Sequence, residues 1–381
     1  MFPKYLATFA ATLTFTIGAA NAQVRIGVIA SSTGPVASIG IPQKNSAALL
    51  PIRVGDLTVE YVVLDDGSDP TAAVTAAKKL INEHHVDAII GPSGSPQAMG
   101  LVQFVAEAGT PMIAPVGSAG VVLPMNAQKK WVFKTTQNDS ASVEVLLAHM
   151  AKTGIRKIGV MISNDAFGEN RYKEIVAQAK GFGLSIVANE KYQRGDTSVM
   201  GQVMKLIAAK PEAIFIACPG SPAILPQATL RDKGYKGRIY QSDGAALEAF
   251  LKQGGKKVEG TILQGSMMLV LSEIPASNPS RKVMSDYVAA YEKRFGKAET
   301  FGSQLYDAGL LVANAIPVAV RKAKPGTAEF RAALRDALEA TKDFVATQGR
   351  YSMTPENHSG MDKKGANELI TVQEGKWRLV R

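Results

Sequence analysis

Two loops rich in glycine and serine carry the most specific chemistry that this sequence suggests. Loop 91–95 (GPSGS) follows the apolar run 86–90, and loop 114–118 (APVGS) ends the apolar run 111–114. Free backbone N–H groups and serine hydroxyls in such loops can hold a carboxylate, and a helix N-terminus favours an anion. One such loop is often only a cap and a turn. Two on adjacent strands favour a shared anion site.

A second pair of strand-end loops contains an aromatic and an acidic residue. Loop 164–168 (NDAFG) follows the apolar run 158–162, and loop 242–244 (SDG) follows 238–241. Phe167 could wall a pocket or simply pack in a helix. Asp243 could pair with a ligand ammonium or cap the helix that begins at Ala245. Spacing alone leaves both pairs of readings open.

The usual catalytic and metal-binding motifs are absent from the sequence. There is no G-x-x-x-x-G-K-[ST], H-E-x-x-H, G-x-S-x-G or strand-following G-x-G-x-x-G motif, and the four histidines are scattered. Asp65, Asp66 and Asp69 lack the glycine and the closing glutamate of a calcium loop. The single cysteine, Cys218, excludes an intramolecular disulfide and a cysteine-cluster metal site. No enzyme activity, metal or cofactor is predicted.

The elements that must position these loops alternate between strand and helix. The first series has strands at 24–30, 58–64, 86–90 and 111–114 and a helix at 71–83; the second has strands at 158–162, 184–192, 213–217 and 238–241 and helices at 167–182, 198–209 and 222–233. Asp69 and Pro70 suit the N-cap and first position of helix 71–83. The alternation predicts two α/β units, each a parallel sheet covered on both faces, and parallel sheets bind ligands at the carboxyl ends of their strands.

The C-terminal third differs in pattern. Long helices are predicted at 279–295, 301–320 and 327–341, and β-rich stretches at 349–353 and 368–380. A length of 381 residues suggests at least two domains, and 46% hydrophobic with 20% charged residues suits a globular protein. The net charge of +10 comes from lysines and arginines placed singly or in pairs. This favours a solvated basic surface over nucleic-acid binding.

Residues 1–22 have the features of a cleaved signal peptide. Lys4 supplies one positive charge, the stretch 5–18 is uncharged, and Ala20-Asn21-Ala22 fits the small-x-small cleavage rule. The apolar stretch is shorter than the ~20 residues of a membrane span. Because no cysteine stands at the cleavage site, lipid anchoring is excluded. A freely diffusing periplasmic protein is predicted.

Taken together, these segments resemble the branched-chain amino acid-binding proteins, the periplasmic receptors of ABC transporters. The resemblance runs from about Val24 to the C-terminus. The matching segments are Ile26-Gly27-Val28 with Thr33-Gly34-Pro35, Asp65-Asp66-Gly67-Ser68-Asp69-Pro70 before Lys79-Leu80-Ile81, Gly91-Pro92-Ser93-Gly94-Ser95, Ile113-Ala114-Pro115, Asp165-Ala166-Phe167-Gly168 and Arg231-Asp232-Lys233-Gly234-Tyr235-Lys236-Gly237. Their order and spacing carry the resemblance.

The resemblance implies a type I periplasmic-binding fold, in which two Rossmann-like lobes joined by three crossovers close on a small ligand by hinge motion. Lobe 1 would comprise 23–136 plus about 266–345, and lobe 2 would comprise 137–265 plus about 346–381. Residues 349–354 would lie near the third crossover.

The resemblance also implies a set of ligand-binding residues. Ser95 and Ser118 match the positions that hold the ligand carboxylate. The carbonyl of Val116 and the side chain of Asp243 match the positions that receive the ammonium. Phe167 falls where an aromatic residue, often tyrosine, covers the ligand.

Two further site positions depart from the family pattern. Ile39 stands where relatives often present an aromatic side chain, and the loop 218–222, with Ser221, lacks a tyrosine found there in some members. These departures leave the selectivity for the ligand side chain open.

We therefore expect a non-catalytic, monomeric solute-binding protein that captures an apolar amino acid and delivers it to an ABC permease in the inner membrane. Leucine, isoleucine or valine is favoured. Three alternatives stay open: a binder of aromatic or other hydrophobic carboxylates, an exported ligand sensor, and a secreted α/β enzyme.

Overall fold

The computed structural model describes residues 23–361 and 368–381. The predicted signal peptide, residues 1–22, lies outside the described residues, so its cleavage stays a prediction.

Fifteen strands and eleven α-helices are assigned within the described residues. In chain order they are β1 (Gln23–Ala30), α1 (Ala37–Ala47), β2 (Arg53–Val54), β3 (Leu57–Asp65), α2 (Pro70–Asn82), β4 (Ala88–Ile90), α3 (Ser95–Glu107), β5 (Met112–Ala114), β6 (Val132–Lys134), α4 (Asp139–Lys152), β7 (Lys157–Ser163), α5 (Ala166–Ala179), β8 (Ser185–Tyr192), α6 (Met200–Ala208), β9 (Ala213–Ala217), α7 (Ile224–Asp232), β10 (Arg238–Gln241), α8 (Glu248–Gly254), β11 (Ile262–Gly265), α9 (Arg281–Phe295), α10 (Thr300–Ala319), α11 (Ala328–Glu339), β12 (Phe344–Val345), β13 (Arg350–Tyr351), β14 (Glu368–Gln373) and β15 (Lys376–Leu379).

Lobe 1 is built on a sheet of strand order β2-β3-β1-β4-β5-β6, parallel except for β2. Successive residues of a strand point to opposite faces, and β1 shows the result. Val24, Ile26 and Val28 belong to the core formed with α10 and α11, whereas Ile29 belongs to the core formed with α2 and α3. Both faces of the sheet are therefore covered by helices.

Lobe 2 repeats this design. Its sheet has the order β15-β14-β11-β10-β9-β7-β8, with the five strands from β11 to β8 parallel and the β14–β15 hairpin antiparallel at one edge. Val160 and Phe215 face the core with α4 and α5, while Met161 and Ile216 face the core with α6, α7 and α8. The two-lobed α/β fold predicted from the sequence is confirmed.

Local signals placed some elements correctly and missed others. The predicted start of α2 is confirmed, since Pro70 is its first residue and the Asp69 side chain accepts a hydrogen bond from the Ala72 N–H at 2.7 Å. Strands β6 and β11 and helix α4 were not predicted from the sequence, and the helix predicted from Ala245 begins at Glu248, as α8. In β6 the signal is weak because the strand has three residues and ends in a lysine, Lys134, that is fully buried.

The chain passes between the lobes three times. It enters lobe 2 between β6 and α4 and returns after β11. Met361 packs against the core of lobe 1, and β14, which begins at Glu368, belongs to the sheet of lobe 2. The predicted boundary near residue 346 is wrong, because Ala346, Tyr351 and Met353 lie in the core of lobe 1. Strands β12 and β13 pair with each other, and Phe344 and Met361 pack against the same core, so lobe 1 extends to residue 361.

Asp307 of α10 anchors the segment that follows β12. Its fully buried carboxylate accepts hydrogen bonds from the Thr347 N–H at 2.9 Å, the Thr347 hydroxyl at 2.7 Å, the Gln348 N–H at 2.8 Å and the Tyr351 hydroxyl at 3.0 Å. Burial raises the pKa of Asp307 to about 6, against the lowering effect of these hydrogen bonds. Folding therefore takes up a proton at this site in mildly acidic solution.

A pH series of urea unfolding should reveal this proton. The unfolded carboxyl has its pKa at 3.8 and the folded one at about 6, so stability from Asp307 is present at low pH and is lost as the pH rises through this interval. Compared with Asp307→Asn, which cannot titrate, the wild-type protein should lose free energy of unfolding between about pH 4 and about pH 6. Parallel curves for the two proteins would contradict the assignment.

No helix among residues 23–361 and 368–381 combines the length and the apolar composition that a membrane span needs.

Candidate functional site

The loops of both lobes meet at topologically equivalent places. β1 lies between β3 and β4 in lobe 1, and β7 lies between β8 and β9 in lobe 2. In an open parallel sheet the crevice at such a switch point, beyond the carboxyl ends of the strands, is the usual ligand site. The two switch points face each other across the cleft.

A cavity of about 360 Å³ lies between the lobes. It is lined by Ile39, Ser93, Gly94, Ser95, Pro115, Val116, Gly117, Thr136, Phe167, Arg194, Pro219, Asp243, Gly244, Phe301 and Gln304. Five of the seven predicted site residues are in this set: Ile39, Ser95, Val116, Phe167 and Asp243.

The first turn of α3 forms one wall of the cavity. Helix α3 begins at Ser95, where the first N–H groups of a helix have no helical partner and attract an anion. The Ser95 hydroxyl accepts a hydrogen bond from the Ser118 N–H at 3.3 Å. The preceding loop requires glycine at Gly91, where φ is +108° and a Cβ would lie 2.1 Å from the Ile29 carbonyl oxygen. Strand β4 is thus followed by a tight turn that brings Ser95 to the cavity.

Asp243 is not a helix cap and is already paired. Its carboxylate contacts the guanidinium of Arg171, which lies one helical turn beyond Phe167 in α5. Arg171 also lies 2.9 Å from the Asp139 carboxylate, measured from Nε to Oδ1. The Arg171 and Asp139 side chains are each 1% exposed, and Asp243 is 18% exposed. The predicted ammonium site is therefore partly neutralised from within the protein.

Arg171 was not predicted as a site residue from the sequence. An arginine within a helix usually lies on a solvent-exposed face, but its spacing of four residues from Phe167 puts both on the same face. The Arg171 guanidinium lies 5.2 Å from the centre of the Phe167 ring. The four-residue spacing between Phe167 and Arg171 is the sequence signal that could have revealed Arg171.

Arg194 is a second cation at the site that was not predicted from the sequence. It follows the end of β8, lines the cavity, and places its Nε 2.7 Å from the Asp165 carboxylate. Its Nη2 is buried and has no hydrogen-bond partner among the described residues. Its position just after the carboxyl end of a parallel strand is the sequence signal that could have indicated Arg194 as a site residue.

Ser118 and Ser221 are not among the cavity-lining residues and instead join the lobes. The Asn170 side-chain amide donates to the Ser118 hydroxyl at 2.6 Å, and the Ser221 N–H donates to the Ser38 hydroxyl at 3.2 Å. The Ala119 N–H likewise donates to the Asp139 carboxylate at 2.9 Å. These contacts hold the cleft closed. Ligand contact by Ser118 or Ser221 stays a prediction.

Ser118→Ala tests whether this serine acts on the ligand or on closure. We expect ligand affinity to fall about 5- to 150-fold, the effect of losing one buried hydrogen bond of about 1–3 kcal/mol. If Ser118 acts through Asn170, Asn170→Ala should lower ligand affinity by the same factor. The double variant should then lower it no further than either single variant does. Calorimetric titration of all three proteins measures this.

A larger loss for Ser118→Ala than for Asn170→Ala would show direct contact with the ligand. Unchanged affinity in both single variants would contradict a role in closure.

Lys134 ties the first crossover to the cavity wall. Its Nζ donates to the carbonyl oxygens of Gly117 and Gln137, each at 2.8 Å, and it is fully buried. Burial lowers the pKa of Lys134 to about 8, although the Asp139 carboxylate acts in the opposite direction. Movement of the crossover is thereby coupled to the loop that follows β5.

No group of three or more histidine, cysteine, aspartate or glutamate side chains within the described ranges has the arrangement of a metal site. The cavity offers anion-binding N–H groups, hydroxyls, a paired carboxylate and apolar walls. This composition suits binding of a small organic ligand.

Comparison with known proteins agrees with the fold. Residues 23–365 match the family described as "Periplasmic binding protein". The chain is 26% identical to Leu/Ile/Val-binding protein homolog 3 of Brucella melitensis biotype 1, covering 91% of each chain.

Two solved structures are also similar. An extracellular ligand-binding receptor from Rhodopseudomonas palustris HaA2 is 44% identical, with a TM-score of 0.92, over 94% of this chain and 100% of that one. A solute-binding protein of an ABC transporter from Rhodopseudomonas palustris BisB5, in complex with 3,4-dihydroxybenzoic acid, shares the fold at 21% identity, with a TM-score of 0.77, over 93% of this chain and 95% of that one. The two α/β lobes are closed on a cavity at their switch points, and the family match covers residues 23–365. The chain therefore belongs to the periplasmic binding protein family, whose members bind solutes and are not enzymes.

Proposed function

We propose that this protein captures a small carboxylate with an apolar body between its lobes and delivers it to an ABC permease in the inner membrane. The cleft cavity of about 360 Å³ carries the proposal, because it combines anion-binding groups with apolar walls. Ser95 at the start of α3 and the unpartnered Nη2 of Arg194 suit the carboxylate. Ile39, Phe167 and Phe301 suit the apolar body.

The first candidate ligand is an apolar amino acid, with leucine, isoleucine and valine favoured by the sequence. The name of the Brucella relative supports this choice. Val116 and Asp243, which are predicted to receive the ammonium, both line the cavity.

The second candidate is a hydrophobic or aromatic carboxylate without an ammonium, and one observation favours it. Arg171 already neutralises Asp243, so an ammonium would have to share that carboxylate with a buried guanidinium. The Nε of Arg194 is paired with Asp165, but its Nη2 lies beside the same cavity without a partner among the described residues and can donate to a ligand carboxylate.

A matched ligand panel scanned by thermal shift separates these candidates. The panel pairs leucine, isoleucine and valine with their deaminated counterparts 4-methylpentanoate, 3-methylpentanoate and 3-methylbutanoate. A ligand that binds only the folded state stabilises it by about 2.7 kcal/mol at 100 times its Kd. Stabilisation by the first three supports amino acid transport, and stabilisation by the second three supports carboxylate transport. No stabilisation by either set would contradict both candidate ligands.

Delivery to a permease distinguishes a transporter component from a sensor. Deletion of the gene should abolish cellular uptake of the radiolabelled ligand. Uptake that persists while a transcriptional response to the ligand disappears would favour the exported sensor. Fractionation should place the protein in the periplasm, and sedimentation should show the predicted monomer.

A further inference from the structure

A second cavity adjoins the ligand cavity on the side of the hinge. It measures about 370 Å³ and shares Thr136, Asp243 and Gln304 with the first. Its other lining residues are Gln137, Ala246, Gln264, Ser266, Thr300, Gln348 and Met361. We call this second cavity the amide compartment, because four glutamines line it.

Several polar atoms here are buried without a partner among the described residues. They are both side-chain amide atoms of Gln137, the Oε1 of Gln304 and the Oγ1 of Thr300. These three residues are 9%, 5% and 3% exposed. Because an unpaired buried amide or hydroxyl costs free energy, native proteins satisfy nearly all such groups with protein, water or ligand. Three in one compartment indicate that something polar occupies it.

The character of the walls limits the occupant to a neutral group. Glutamine amides both donate and accept hydrogen bonds, and threonine hydroxyls do the same. No cationic side chain lines the compartment, and its one carboxylate, Asp243, is paired with Arg171. A hydroxyl, a carbonyl or an amide could satisfy Gln137, Gln304 and Thr300 together, whereas an alkyl group would leave all three unpaired.

We infer that the amide compartment is the distal subsite of the ligand cavity and binds a neutral polar group at the far end of the transported carboxylate. This inference rests on the proposed function, since it places the ligand carboxylate in the first cavity. It makes the preferred ligand longer and more polar at its far end than leucine, isoleucine or valine.

Two series of ligands that differ only in the terminal hydroxyl test the inference. The first series runs from butanoate to octanoate, each with its ω-hydroxy derivative, and the second contains the corresponding 2-amino acids. Calorimetry should show at least one hydroxylated member binding about 10- to 100-fold more tightly than its unsubstituted partner, the effect of satisfying buried polar groups. Several chain lengths are included because the length that joins the carboxylate site to the amide compartment has to be found by the experiment.

Near-isosteric variants locate the effect. Gln137→Met, which lies outside the first cavity, should remove most of the advantage of the hydroxyl while leaving the affinity for the unsubstituted acid within about threefold. Gln304→Met, which contacts both cavities, should also remove the advantage of the hydroxyl. Gln103→Met, at an exposed position of α3, is the control and should change neither affinity.

The possible outcomes separate this inference from the proposed function. Unsubstituted acids that bind as tightly as every hydroxylated member would overturn the amide compartment as a ligand subsite and assign it to ordered water, with the proposed function intact. Failure of both complete series to bind, while the folded protein is stabilised by a ligand without a carboxylate, would overturn the proposed function as well.

Discussion

Replacing Arg171 with methionine should lower the free energy of unfolding by about 3–5 kcal/mol, because it leaves a buried carboxylate without its charged partner. Asp139 and Arg171 are each 1% exposed, and burial raises the pKa of Asp139 even with Arg171 and Lys134 nearby. Without Arg171, Asp139 must lose its charge or draw water into the core. Urea unfolding at neutral pH measures the loss.

A matched exposed pair serves as the control. Arg25 and Glu60 are 44% and 46% exposed, so Arg25→Met should cost no more than about 1 kcal/mol. If the Arg171→Met protein is too unstable to measure, adding Asp139→Asn should restore stability by removing the unpaired charge. A loss below about 1 kcal/mol for Arg171→Met would show that the buried pair contributes little.

Replacing Asp243 with alanine should shift ligand preference in opposite directions for two head groups. Affinity for any ligand with an ammonium should fall by about 2–5 kcal/mol, or about 30-fold to several thousand-fold, because a charge-assisted pair in a closed cleft is lost. Affinity for a carboxylate without an ammonium should rise, because the variant removes a negative charge and leaves Arg171 and Arg194 beside the cavity. Calorimetry with leucine and 4-methylpentanoate measures both effects.

Stability and charge controls accompany this test. Arg171 keeps Asp139 as a partner in the Asp243→Ala protein, so the variant should fold. Asp232→Ala makes the same change at a position that is 55% exposed and should leave both affinities unaltered. Unchanged affinity for both ligands in Asp243→Ala would show that this carboxylate serves only its partner Arg171.

The parts of the site that the sequence could predict are those that follow buried strands. Ser95, Val116 and Asp243 come directly after apolar runs, and the carboxyl ends of parallel strands converge on one edge of a sheet. Ile39 was identified from the family resemblance alone. Phe167 was identified from the resemblance and from its position beside a glycine in a strand-end loop. All five line the cavity. The sequence therefore located most of the cavity wall without any knowledge of distances.

The partners of these residues were beyond the reach of local patterns. Arg171 is brought to Asp139 by the packing of α5 on α4, and the two helices are separated in sequence by β7. Asn170 reaches Ser118 only because the lobes are closed. Such contacts depend on tertiary geometry, which neither hydrophobic periodicity nor spacing encodes.

The error at the lobe boundary has a similar cause. Residues 346–361 contain little regular structure, so their pattern does not show which lobe they join. Four hydrogen bonds to Asp307 and the burial of Tyr351 and Met353 decide the matter. The relevant acceptor lies in the middle of α10, where a buried aspartate gives no signal that separates it from a solvent-exposed one.

The three passages between the lobes also govern the order in which this chain can fold. Val24 shares a core with Phe330 and Met353, so lobe 1 is incomplete until almost the whole chain has been synthesised. Lobe 2 likewise waits for Ile370 and Trp377 in the β14–β15 hairpin. Folding that depends on contacts so distant in sequence is slow. We therefore expect the chain to be released from the ribosome before either core is complete.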